Sequence, residues 1–111
     1  MKIATWNLER GGRRLRRLLG APVIWAGDFN QSLQGPLSGG SAARRNLLRS
    51  ALDTLGVEAG NAADAHAHDG LCAVDLICGP RERACVARGR IDPVRDGVTM
   101  SDHAGYWVQL G

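Results

Sequence analysis

Asp28 and Asn30, in the string Gly27-Asp28-Phe29-Asn30, stand two residues apart just after an apolar run, so an extended backbone there turns both side chains to one side. A carboxylate that orients or deprotonates water, beside an amide that donates to a phosphate oxygen, is the pairing that phosphodiester hydrolysis needs. Ser101-Asp102-His103 sets a carboxylate next to an imidazole before the last apolar run. Asp75 lies inside Ala73-Val74-Asp75-Leu76-Ile77, where a carboxylate among apolar neighbours requires a partner. A carboxylate is also what fixes an imidazole's tautomer. Asn7 and Glu9, in Thr5-Trp6-Asn7-Leu8-Glu9, close the first apolar run and share a face by period two. Singly, each of these strings reads as turn or capping chemistry. In this order along one chain they point to metal-dependent hydrolysis of a phosphoester.

The elements that must position these groups follow from apolar patterning. Residues 2–8 and 23–26 read as short buried strands, the first bounded by Gly11-Gly12 and the second by Gly27. Between them, residues 13–19 place Leu15, Leu18 and Leu19 at helical spacing among arginines, with Gly20 and Pro22 as stop signals. Residues 31–40 are rich in Gly, Ser and Pro and read as a loop. Ser41 is then an N-cap for a helix whose apolar face is Leu47, Leu48, Ala51, Leu52 and Leu55, closed by Gly56. Strand-like pieces follow at 72–78, 84–91 and 105–110. The order β-α-β-α-β-β-β describes an α/β or α+β layered domain spanning residues 1–111.

A chain of 111 residues makes one domain with a modest core. Its hydrophobic fraction of 44% and charged fraction of 23% are ordinary for a globular protein and argue against disorder. The net charge of +3 comes mostly from arginine, Lys2 being the only lysine, and leans toward anionic partners. Cys72, Cys78 and Cys85 are odd in number and lack paired CxxC spacing, which suggests neither a disulfide framework nor a zinc site. No apolar run approaches the ~20 residues of a membrane helix, and Asn7, Glu9 and Arg10 interrupt any secretion-type apolar region. A reduced, cytoplasmic protein with no membrane partner is the expectation.

At Asn7, Asp28, Asn30, Asp75, Asp102 and His103 the chain resembles the endonuclease/exonuclease/phosphatase family. The resemblance implies a reduced DNase-I-like α/β sandwich, with a mixed sheet and two main helices, shortened between residues 10 and 23. It implies that Asp28 positions water, that Asn30 and Asn7 contact phosphate, and that Asp75 orients His103 as the transition-state pair. The family's metal-binding glutamate beyond the second strand has no counterpart here, so Glu9 and Asp102 are the expected ligands of Mg2+ or Mn2+. Such a hard cation keeps several waters and needs only one or two carboxylates besides substrate phosphate. The implied substrate is a phosphoester, nucleic acid among the options.

Other readings of the same residues stand beside this one. A shortened sheet leaves an open edge, for which the expected outlet is self-association or loosened packing around the tryptophans. A catalytically silent remnant, kept for binding or self-association, fits the missing glutamate. Arg10, Arg13, Arg14, Arg16 and Arg17 form either a solvated helix face or a patch for a polyanion. His66 and His68 have i,i+2 spacing but read as loop residues in Ala65-His66-Ala67-His68-Asp69-Gly70. The five aromatics, Trp6, Trp25, Phe29, Tyr106 and Trp107, read as core.

Overall fold

Alternation along the second strand sets the architecture. In β2 (Val23–Asp28) the side chains of Val23 and Trp25 are buried, while Ile24 and Ala26 are less so. β2 runs parallel to β1 (Lys2–Ala4) and antiparallel to β4 (Asp75–Pro80), which in turn pairs with β3 (Val57–Ala59), giving a mixed sheet of order β1-β2-β4-β3. The computed structural model describes residues 2–4, 22–36 and 39–111. Trp6, Asn7, Glu9 and the helix expected at 13–19 lie outside those residues.

Register assigns the two faces of this sheet. Trp25 faces Cys78 and Gly27 faces Leu76, so these residues line one side; Ala26 opposite Ile77 and Asp28 opposite Asp75 line the other. The first side carries the core, where α1 (Ala42–Leu55) sets Leu52 and Leu55 against Val23, Trp25, Val57, Leu76 and Cys78. The helix starts and stops where its caps dictate. Ser41 Oγ accepts the Arg44 N–H at 3.1 Å, and Gly56 takes the left-handed φ of 68° that closes the last turn. Leu48 and Ala51 pack partly against the core, but Leu47 is 70% exposed, so the buried stripe is narrower than the leucine pattern suggests.

The second side faces an antiparallel pair, β5 (Cys85–Ile91) with β8 (Gly105–Leu110). Leu110 packs over Gly79 at this contact between the sheets: a Cβ there would meet its Cδ1 at 2.6 Å, so a larger residue would make the leucine side chain shift. A small hairpin, β6 (Val94–Arg95) with β7 (Val98–Thr99), turns at Asp96 and Gly97, both at positive φ. The fold is therefore α+β, a sheet with a helix on one face and a strand pair on the other. Among the described residues no helix is long and apolar enough to cross a membrane.

Two expectations need correction. Trp107 is 47% exposed, because Tyr106 and Trp107 are neighbours in β8 and a strand cannot turn both inward; Trp107 lies over Gly89 on the outer side. The strand expected at 72–78 begins only at Asp75, since Cys72 makes an isolated bridge to Ala65 while Ala73 and Val74 are buried ahead of the strand.

Candidate functional site

The register that places Asp28 opposite Asp75 also places both at one end of the sheet, where β8 begins. The Phe29 N–H donates to the Val74 carbonyl at 2.9 Å, extending the ladder past the two carboxylates and fixing their opposition. Like charges directly across a strand pair repel, so this end of the sheet holds surplus negative charge for a cation to offset.

His103 meets it from the turn before β8. Its Nδ1 lies 2.5 Å from Asp75 Oδ2, and both side chains are mostly but not wholly covered, at 29% and 28% exposure. The turn that delivers it is local: Ser101 Oγ accepts the His103 N–H at 3.1 Å. The hydrogen bond to Asp75 holds the His103 pKa above the ordinary imidazole value; burial opposes this, and the charges of Asp75, Asp102 and Asp28 add to it. Asp102 itself is exposed beside the pair. With Nδ1 committed to Asp75, Nε2 is the nitrogen left to act on a bound molecule.

Asp28 and Asn30 are arranged differently from the extended pair that the spacing suggests. β2 ends at Asp28, Asn30 adopts a φ of 51°, and its N–H donates to Asp28 Oδ1 at 2.8 Å. This Asx turn fixes the Asp28 carboxylate, and the chain leaves the sheet after it. The proposed phosphate contact at Asn7 and the proposed ligand Glu9 lie outside the described residues.

Two residues that the sequence did not place here lie against the pair. Asn61 is fully buried: its Nδ2 donates to the Asp75 carbonyl at 2.8 Å, and its Oδ1 accepts the Ile77 N–H at 2.9 Å. A side-chain amide thus continues the ladder that β3 leaves at Ala59, and it pins the backbone that carries Asp75. His66 approaches from the loop between β3 and β4, its ring centroid 4.9 Å from that of His103. The loop is moored by β5 and β8, since the Ala65 carbonyl accepts both Tyr106 Oη at 2.7 Å and Arg90 Nε at 2.9 Å. Burial and the neighbouring His103 lower the His66 pKa, partly countered by Asp75 and Asp102. No local sequence pattern announces Asn61; His66 carries the i,i+2 signal with His68, but what places it is the tertiary mooring.

Gly27, Asp75, Ile77, His103 and Tyr106 line part of an open cleft of about 340 Å³. Among the described residues no cysteine lines this cleft; Cys78 is buried in the core, and that burial pushes its thiol up to about 12. No family model, curated protein or solved structure matches the chain.

Proposed function

We propose that the chain is a divalent-metal-dependent phosphoesterase of the endonuclease/exonuclease/phosphatase type. The observation that carries this reading is the 2.5 Å contact of His103 with Asp75, with Asp28 opposite Asp75 in register. Asp75 and His103, distant in sequence, meet at one end of the sheet and line a cleft of a size suited to a phosphoester group and its immediate substituents, with Asp28 across the strand pair from Asp75.

In this reading Asp28, held by the Asn30 amide, orients the attacking water and draws on its proton. His103, held by Asp75 through Nδ1, presents Nε2 to the phosphoryl oxygens, where an imidazolium stabilises the charge that builds in the transition state. Asn30 and Asn7 contact the phosphate. The opposed Asp28 and Asp75 carboxylates, with Asp102 beside them, form an oxygen-rich, anionic setting that fits Mg2+ or Mn2+. Asp102 and Glu9 would hold that ion, which when bound neutralises phosphate charge and acidifies water.

The test is hydrolysis of bis(4-nitrophenyl) phosphate and of plasmid DNA with Mg2+ or Mn2+, and again with excess chelator. Activity with metal that vanishes with chelator and in both Asp28→Ala and His103→Ala supports the reading; activity unchanged in both variants rejects it. A second reading, a silent domain kept for association, draws on the exposed apolar side chains of Ile91, Val94, Val98, Met100 and Trp107. Inactivity together with self-association would favour it.

A further inference from the structure

We infer that His66, Asp75 and His103 form a second kind of metal site, one for a divalent ion of the zinc and cobalt class. Donor atoms of these three side chains lie within 4.8 Å of one another, and each residue is only partly buried, so an ion can enter. Two imidazoles with one carboxylate are a donor set that suits zinc-like ions, whereas Mg2+ prefers oxygen throughout. Three protein ligands with water in the fourth position give the open tetrahedral arrangement common for zinc.

The geometry is close to that arrangement and needs small shifts. Two donors about 2.0–2.1 Å from a tetrahedral ion stand roughly 3.3 Å apart. The ion takes the place of the proton between His103 Nδ1 and Asp75 Oδ2, and that pair widens from 2.5 Å to accept it. His66 then closes toward them. It is already held near by the Tyr106 and Arg90 bonds to Ala65, by the Arg90 guanidinium contact to the His66 carbonyl at 3.4 Å, and by its own N–H to the Leu71 carbonyl at 2.9 Å. His66 Nδ1 accepts the His68 N–H at 2.9 Å. Coordination at that nitrogen exchanges this bond for the ion. Coordination at Nε2 instead moves the ring proton to Nδ1 and loses the bond, which limits affinity without preventing binding.

Binding does not require the chain to be a hydrolase. Its consequence for hydrolysis rests on the reading above: an ion seated on Asp75 and His103 removes the pair that Mg2+-supported turnover uses, so Zn2+ inhibits. The experiment is a Co2+ titration of the metal-free chain followed by visible absorption, with Zn2+ displacing Co2+. One equivalent of Co2+ giving tetrahedral-type bands in the parent and in His68→Gln, with at least tenfold weaker binding in His66→Gln, supports the site. No stoichiometric binding, or equal binding in His66→Gln and parent, overturns it. Histidine ring NMR in the parent gives a check free of folding artefacts: Zn2+ must shift the His66 and His103 signals far more than those of His68. If hydrolysis is absent, the Co2+ and NMR arms still decide the site. If hydrolysis is present, His66→Gln must keep Mg2+-supported turnover and lose at least tenfold in sensitivity to Zn2+; sensitivity unchanged from the parent overturns the inhibitory role.

Discussion

Replacing Asn61 by leucine removes two hydrogen bonds from the sheet while keeping the number and branching of the side chain's heavy atoms. In the native chain Asn61 is fully buried and serves the Asp75 carbonyl at 2.8 Å and the Ile77 N–H at 2.9 Å. Leucine leaves both backbone groups without these partners at a site that water does not reach. A buried polar group stripped of its partner costs about 1–3 kcal/mol, so the pair predicts a loss of about 2–6 kcal/mol. Against a total of about 5–15 kcal/mol for an ordinary domain, that is a large share. Each kcal/mol corresponds to roughly 4–8 °C in Tm at this chain length. Asn61→Asp keeps an acceptor for Ile77 but sets a carboxylate against the Asp75 carbonyl, so it also destabilises. Urea denaturation followed by circular dichroism measures both variants. A leucine variant within about 1 kcal/mol of the parent, at unchanged m-value, would show that the amide does not hold β4 in place.

Asp28→Ala and His103→Ala should each lower metal-supported phosphodiester turnover at least about 100-fold, the scale for losing a general base or an electrostatic stabiliser. In chelator-treated protein, NMR titration should place His103 above 6.5 and His66 below it, with Asp75→Asn moving His103 downward. Because the His103 pKa is raised on folding, the Asp75 bond stabilises the chain fully below pH 6.5 and loses effect as pH rises through the folded pKa. Denaturation at low and high pH should therefore separate Asp75→Asn from the parent only on the acid side. Ser41→Ala should cost about 1 kcal/mol through the lost N-cap, read by thermal melting. Sedimentation should find concentration-dependent self-association, since β3 lies at the edge of the described sheet; a monodisperse monomer with a steep transition would oppose this.

Where local chemistry decides structure, the sequence was readable. Ser41 and Gly56 bracket α1 because a hydroxyl and a left-handed glycine end helices wherever they occur. β8 and β2 show as apolar runs for similar reasons. Val57-Glu58-Ala59 has no such signal; it is a strand because β4 offers a ladder. The Asp96-Gly97 turn was a legible hairpin signal that the expected elements did not use. The pairing of Asp75 with His103 spans 28 residues, and no spacing rule encodes such a contact. It was anticipated through family resemblance and through the need of a carboxylate in an apolar strand for a partner. His66 was undervalued because its position depends on Tyr106 and Arg90, far along the chain.

Asp28 and Asp75 belong to the four-stranded sheet, His103 leads into β8 in the strand pair, and His66 hangs from a loop moored to that pair. The site is thus a seam, and its persistence is that of the seam and not of either sheet. A fluctuation that lifts β5 and β8 away, leaving every strand intact, already parts the imidazoles from the carboxylates. Chemistry located there is lost at the first loosening of the fold, well before secondary structure melts, so the chain can remain folded by most optical measures and yet have no site.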